Sequence, residues 1–265
     1  MSGVALVTGA GSGIGQATAL AFAQRGMSVL CVDVNRESAE KTAAACEELG
    51  VQAEAHVVDV ADRAAMQALA DRVHAAHGPL DVLVNNAGVG MTGRFTSMTA
   101  DDWTWIRSIN LDGVVNGCAV FGPSMLEAGR GHVVNLASGL GYTPTATEPA
   151  YVTTKAGVLA LSLCLRADWG QHGVGVTAVC PGVINTPIVD HTRYLGEQGD
   201  PARRQRVAKV FRRGHKPQQV AAAIVAAVQK DKAVVPVGFE ARAGWWLHRY
   251  GPIRLQQAIA RRGLR

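Results

Sequence analysis

Short runs that are apolar almost throughout alternate along this chain with longer stretches whose apolar residues recur at helical spacing. The short runs are Val4–Val7, Ser28–Val32, Ala53–Val58, Leu80–Val84, His132–Ala137, Val174–Cys180 and Ala233–Val237. Continuous apolar runs of this length suit parallel strands covered on both faces. Between them the pattern predicts helices. Gly13–Arg25 opens at a glycine-rich turn. Arg36–Leu49 follows Asn35, a good N-cap residue, and stops at Gly50. Arg63–His77 carries Met66, Leu69 and Val73 at i, i+3 and i+7 and ends at Gly78-Pro79. A long helix from about Asp101 to Leu126 begins with the capping-box spacing of Thr99 and Asp102. Ala150–Trp169 and Gln218–Gln229 complete the set. Strand–helix alternation of this kind predicts an α/β fold, a doubly wound parallel sheet of about seven strands flanked by helices. No linker, repeat or low-complexity stretch interrupts it. One domain, residues 1–238, is therefore expected to include a helical insertion at about 186–215, with residues 239–265 as an extension packed on the same domain.

Composition changes this picture little. At 265 residues, 48% apolar and 18% charged, the chain is ordinary globular protein. It is long enough to bury a core without a disulfide or structural metal. Its five cysteines form no CxxC pair and have apolar neighbours, which reads as reduced thiols in a cytoplasmic protein. The N-terminal residues lack a basic leader pattern, and the longest apolar helical run, Val220–Val228, falls short of the roughly 20 residues that span a bilayer. Charge is more informative. Residues 1–202 hold 11 basic and 19 acidic residues, whereas residues 203–265 hold 15 and 2, so a net +5 conceals −8 followed by +13. A basic end can meet nucleic acid, but no helix-turn-helix, zinc-ligand spacing or aromatic RNA-binding motif accompanies it, and no nucleic-acid partner is expected.

The chemistry begins in the turn Thr8-Gly9-Ala10-Gly11-Ser12-Gly13-Ile14-Gly15, between the first strand and first helix. Glycines let the backbone approach a pyrophosphate, and the helix N-terminus offers free N–H groups and partial positive charge. Asp33 ends the second strand, 18 residues after Gly15. A carboxylate there accepts both hydroxyls of an adenosine ribose and repels a 2′-phosphate. It could alternatively cap the next helix, as could Asn35. The cofactor expected is NAD, with NADP as the alternative because Arg36 stands nearby. A P-loop is excluded, since no Gly-Lys pair occurs, and His74 and His77 lack the further ligands a metal site needs.

Tyr151 and Lys155 stand at i and i+4 on one helix face. An ammonium near a phenol favours the phenolate and lowers its pKa, which suits a general acid/base. Taken alone this is also the pattern of a surface pair. Ser138, after the His132–Ala137 strand, adds a hydroxyl where ligands sit in open α/β sheets.

With these residues placed, the chain resembles the short-chain dehydrogenase/reductase family over about residues 3–237. The motifs that carry the likeness stand in order: Thr8-Gly9-x3-Gly13-x-Gly15, Asp59-Val60, Asn85-Asn86-Ala87-Gly88, Asn110, Ser138, Tyr151-x3-Lys155 and Pro181-Gly182. The resemblance implies a Rossmann-like fold and an oxidoreductase that moves a hydride between NAD(H) and a secondary alcohol or ketone. It implies Tyr151 as acid/base, Ser138 as the group orienting the reacting oxygen and Lys155 as the partner of the nicotinamide ribose. Asn110 would hold a water joining Lys155 to a proton relay. For the cofactor it implies Gly9, Ser12, Gly13, Ile14 and Gly15 at the diphosphate, Asp33 at the ribose, and Asp59 with Val60 at the adenine. Asn86, Ala87 and Gly88 would line the cleft, and Pro181, Gly182, Val183 and Thr186 would lie along the nicotinamide. A homodimer or homotetramer is implied as well.

The positions expected to face substrate are Gly90, Met91, Phe95, Leu140, Tyr142, Val183, Ile188, Tyr194 and Leu195, mostly apolar. They suggest a largely apolar substrate: steroid-like, terpenoid or an acyl chain. Arg193 and His191 could instead hold a polar head group, which keeps an NADPH-dependent 3-oxoacyl-carrier reductase as one alternative and a non-catalytic dinucleotide sensor as another. The family pattern does not cover residues after about 238. There Trp245, Trp246 and Tyr250 precede an arginine-rich stretch with Leu255 and Ile259 at i, i+4. This stretch could close the pocket, pack on a neighbouring subunit or lie on a membrane surface.

Overall fold

The computed structural model describes residues 3–262. In chain order the elements are β1 (Val4–Thr8), α1 (Gly13–Ala23), β2 (Ser28–Asp33), α2 (Arg36–Glu47), β3 (Ala53–Val57), α3 (Arg63–His77), β4 (Val82–Asn85), β5 (Gly90–Thr92), α4 (Ala100–Arg107), α5 (Gly113–Ala128), β6 (Gly131–Leu136), α6 (Pro149–Trp169), β7 (Val174–Pro181), β8 (Thr192–Tyr194), α7 (Pro201–Arg212), α8 (Pro217–Gln229), β9 (Val234–Val237), α9 (Phe239–Tyr250) and α10 (Ile253–Arg262). Seven strands form one sheet in the order β3-β2-β1-β4-β6-β7-β9, with every pairing parallel. All seven correspond to the apolar runs of the sequence.

Each strand feeds two cores because successive side chains point to opposite faces. Leu6, Leu30, Leu83, Val133 and Val176 pack with Met66, Phe121, Val158 and Trp169 from α3, α5 and α6. Ala5, Val7, Val29, Val84, Val134 and Val179 pack with Phe22, Cys46, Val220 and Ile224 from α1, α2 and α8. Four of the five cysteines are buried and Cys164 is exposed; all five are free thiols.

One expectation holds with a modification and one needs correction. The stretch expected as one helix from about 101 to 126 is continuous but not regular. α4 and α5 are joined by a wide π-helical turn, Ser108–Asp112, with Asn110 inside it. The insertion at about 186–215 is only partly helical: besides α7 it holds β8, which pairs in parallel with β5 in a separate two-stranded sheet. Three-residue strands carry too little periodicity to be read from sequence. After β9 the extension forms two helices, and residues 263–265 of it lie outside the described residues.

Candidate active site

The sheet order reverses between β1 and β4, and the crevice beyond their C-terminal ends is where open α/β sheets bind ligands. Thr8 closes β1 with a hydroxyl that accepts the N–H groups of Asn86 and Ala87 at 3.0 and 3.1 Å. In return, Asn86 Nδ2 donates to the carbonyls of Thr8 and Gly9 at 2.8 and 3.2 Å. These bonds strap the glycine turn to the end of β4.

The turn leaves no room for side chains. Gly9 has φ +64°, and a Cβ on Gly15 would lie 2.0 Å from the Gly9 carbonyl oxygen. Ser12 precedes α1 without a side-chain cap, and the first turn holds no acidic residue. The N–H groups and positive end of α1 thus face the crevice, which fits an anionic diphosphate. Ile14 packs away from it, against the core. Asp33 braces the turn: its carboxylate accepts from Gly11 N–H at 2.9 Å and Asn35 N–H at 3.0 Å. The cap of α2 is Asn35, whose side chain accepts from Ser38 N–H at 3.0 Å, so Asp33 is not consumed as a helix cap. Arg36 pairs with Glu40 at 3.3 Å on the exposed side of α2. Asp59 lies just past β3 with its carboxylate on Ala61 N–H at 2.9 Å, and the carbonyl of buried Val60 accepts from Asn116 Nδ2 at 2.9 Å.

On the other side of the reversal, Pro181 ends β7 and the chain returns over the glycine turn. Thr186 comes so near that a Cβ on Gly13 would be 3.1 Å from its Cγ2. Both backbone groups of Val183 are already taken: its N–H donates to Glu240 Oε1 at 2.7 Å and its carbonyl accepts from His215 N–H at 2.9 Å.

The polar side chains converge beyond β4, β6 and β7. Asn110 is fully buried. Its Oδ1 accepts from Val89 N–H at 2.8 Å while its Nδ2 donates to Val89 carbonyl at 2.9 Å. Asn110 lies inside the π turn, four residues after buried Ile106. A methyl on Gly88 would come within 3.2 Å of Asn110 Oδ1 and 3.4 Å of Lys155 Nζ, so these three adjoin. Lys155, also buried, donates from Nζ to Leu136 carbonyl at 2.8 Å and lies 5.9 Å from the centroid of the Tyr151 ring. Ser138 follows Leu136 by two residues, and its hydroxyl accepts from Leu140 N–H at 3.1 Å.

Electrostatics corrects one expectation. Burial pushes the Tyr151 phenol up, to about 12; Ser138 counteracts by stabilising the phenolate, and the charge of Glu148 adds to the rise. Burial also pulls the pKa of Lys155 down, to about 8. At neutral pH the chain therefore presents a protonated phenol beside a protonated lysine.

The surroundings of Tyr151 are apolar on one side. Met91 is buried with Ile106 and Ala150, and Val89, Leu195 and Tyr151 pack against them. Two substrate-side expectations are overturned, those for Tyr142 and Arg193, while Phe95 stays open to solvent. Tyr142 is buried and donates from its hydroxyl to Ala241 carbonyl at 2.8 Å, with its ring edge-on to Trp245 at 5.2 Å. It anchors the extension. Phe95 is exposed and touches Trp103. Arg193 is not free for a head group: it lies over Trp105 at 3.8 Å and pairs with Asp102 at 3.3 Å.

Sequence reasoning missed Glu148. It stands three residues before Tyr151, one helical turn away, and its carboxyl has no hydrogen-bond or ion-pair partner among the described residues. Burial pushes its carboxyl up to about 7. Its i, i+3 spacing to Tyr151 was the available signal.

The comparisons agree with this geometry. The family model for short chain dehydrogenase matches residues 3–194. The chain is 43% identical over 256 residues to the probable oxidoreductase EphD of Mycobacterium tuberculosis, covering 94% of this chain but only 43% of that relative's length. It is 42% identical over 200 residues to the D-threitol dehydrogenase of Mycolicibacterium smegmatis, covering 74% of this chain and 75% of the relative. Among solved structures, a short chain dehydrogenase/reductase from Burkholderia phymatum in complex with NAD superposes with a TM-score of 0.86 at 30% identity, over 96% of this chain and 95% of that one. Sheet order, crevice and family match lead to one assignment: the chain belongs to the short chain dehydrogenase family.

Proposed function

We propose that the chain is an oxidoreductase that interconverts a secondary alcohol and a ketone using NAD(H), with Tyr151 as acid/base. The observation that carries this is the convergence of Ser138, Tyr151, Lys155 and Asn110 at the end of the crevice that the glycine turn opens. The turn at Gly9–Gly15 and the N-terminus of α1 would hold the diphosphate, Asp33 the adenosine ribose hydroxyls, Asp59 and Val60 the adenine, and the 181–186 segment the nicotinamide. NAD is favoured over NADP because Asp33 faces the turn while Arg36 is engaged with Glu40. When bound, the nicotinamide supplies the hydride acceptor or donor. The chain supplies the proton and the alignment. Ser138 orients the reacting oxygen. Tyr151 donates the phenolic proton in reduction and accepts the hydroxyl proton in oxidation. Lys155 holds positive charge behind the phenol, and Asn110 fixes the backbone at Val89 beside it. With its phenol protonated at neutral pH, the site is set for reduction, and oxidation gains as pH rises.

The Met91–Leu195 wall favours a largely apolar substrate body. Glu148 favours a second reading, a hydroxylated substrate, in keeping with the likeness to a D-threitol dehydrogenase. A spectrophotometric panel of apolar and polyhydroxylated alcohols and ketones with NAD(H) and NADP(H) separates them. Tyr151→Phe should lower turnover at least ~100-fold while leaving NAD(H) affinity within about twofold, on the order of 0.4 kcal/mol. NAD(H) binding by the unmodified chain without turnover across the panel would support the sensor reading instead. We also propose a homodimer through α5 and α6, whose outer faces expose Val115 and Leu163, and surface contact with anionic lipid through α9 and α10.

A further inference from the structure

Where β9 ends, the chain passes through Gly238 at φ +100° and enters α9, and the second residue of that helix reaches back to the cofactor crevice. Glu240 Oε1 accepts the Val183 N–H at 2.7 Å, and its Oε2 lies 3.1 Å from His215 Nε2. The approach requires glycine at 182, where a Cβ would sit 2.1 Å from Glu240 Oε1. His215 arrives from the end of the insertion and lies alongside the same segment: its N–H donates to Val183 carbonyl at 2.9 Å and its carbonyl accepts Asn185 N–H at 2.8 Å. Gly182 N–H is held by Val237 carbonyl at 2.8 Å. Residues 182–185 are thereby pinned from behind by His215 and by the β9–α9 junction at Val237 and Glu240, and the next residue, Thr186, rests over Gly13.

We infer that Glu240 is a positioning residue for the nicotinamide half of the cofactor, holding the 181–186 segment in its bound shape before the cofactor arrives. This rests on the dinucleotide reading above and assigns a role to the first turn of the extension. The carboxylate contributes no contact to the cofactor. It fixes the backbone whose outer side is offered to the ring, while the diphosphate and ribose sites at Gly9–Gly15 and Asp33 are built from separate elements. Satisfying a half-buried amide with a carboxylate that is itself held by a second residue favours a single conformation of the segment. Although burial alone would raise the Glu240 pKa, the amides of Glu240 and Val183 and the His215 side chain outweigh it and hold it below the usual range.

The test compares two probes by titration calorimetry. Full NAD⁺ needs the segment, whereas ADP-ribose, which lacks the nicotinamide, does not. Glu240→Ala should weaken NAD⁺ about tenfold, roughly one 1.4 kcal/mol step, and leave ADP-ribose within about twofold, on the order of 0.4 kcal/mol. Glu240→Gln retains an acceptor for the Val183 amide and should restore NAD⁺ affinity to within a few-fold. If Glu240→Ala does not fold, Glu240→Asp, one methylene short of the amide, should show the same split. Equal weakening of both probes would mark Glu240 as merely structural and overturn the proposal, as would unchanged NAD⁺ affinity. Failure of the unmodified chain to bind either probe would overturn the dinucleotide reading, and the positioning role with it.

Discussion

Glu148 is half-buried and His132 buried in the same fold, but their ionisations act in different places. Glu148, with its pKa raised to about 7, gains its charge across the neutral range one helical turn from Tyr151 and holds the phenol's pKa up. Glu148→Gln should remove an ionisation near pH 7 from the pH–rate profile and move the rise in alcohol oxidation to lower pH. His132 sits in β6 with Nε2 2.8 Å from Thr177 Oγ1, and burial lowers its pKa to about 4, with Asp231 opposing and Arg166 adding to the shift. Its folded pKa lies below the unfolded value near 6.5, so the native state binds fewer protons between the two. Stability is then fully present above about pH 6.5 and is lost as pH falls toward 4. Urea titrations at pH 7.5 and 5 should show this loss, and His132→Gln should diminish it. At this scale the sequence displayed Tyr151, Lys155 and Ser138 openly, because their spacing and placement after a strand are local facts. It could not display the buried environment that sets their pKa values, nor that Asn110 faces inward, since both depend on what folds over them.

The strands and most helices were legible because a two-sided parallel sheet writes an apolar run for each strand, and caps such as Asn35 and the Thr99–Asp102 box mark helix starts chemically. The short pairing of β5 with β8 left no such mark, and neither did the docking of α9. That helix is secured on the 139–143 segment between Ser138 and Tyr151: Tyr142 bonds Ala241 and packs on Trp245, and Gly244 makes room for Thr143. Tyr142→Phe removes one buried hydrogen bond, while the Ala241 carbonyl keeps its place in the α9 ladder, and should cost about 0.5–1.5 kcal/mol. Chemical denaturation would measure that cost, and hydrogen exchange should place the loosening in α9 and residues 139–146 rather than in the sheet. Tyr142 was misread from sequence because an aromatic residue after Ser138 fits a pocket wall as well as an anchor, and only the distant partner Ala241 decides.

Across the whole molecule, charge and apolar exposure accumulate together at the end of the chain. Phe239, Trp246 and Tyr250 lie on the outer face of α9 at 77, 64 and 67% exposure, and Ile253, Leu255 and Ile259 are exposed on α10. Residues 241–265 hold six arginines and no acidic residue. Aromatic residues flanked by arginine suit the interface of an anionic bilayer. The protein should co-sediment with vesicles containing phosphatidylglycerol but not with pure phosphatidylcholine. Raising the salt from 0.1 to about 0.5 M should weaken the binding, and Trp246→Glu should abolish it. A dimer that dissociates on Trp246→Glu, with no vesicle binding by the unmodified protein, would assign the same face to a second copy.

The π turn at Ser108–Asp112 makes substitution and deletion unequal in this stretch. It holds one residue more than an α-helical turn, and each residue advances a helix by about 100°. Replacing Ile109 or Leu111 would disturb the packing of one side chain against the core and leave the helix register unchanged. Losing one residue would let α4 and α5 merge into a regular helix, rotated so that either Ile106 or the pair Phe121 and Met125, all fully buried, would leave its seat. The length of this segment is therefore as much a part of the site as the asparagine it carries.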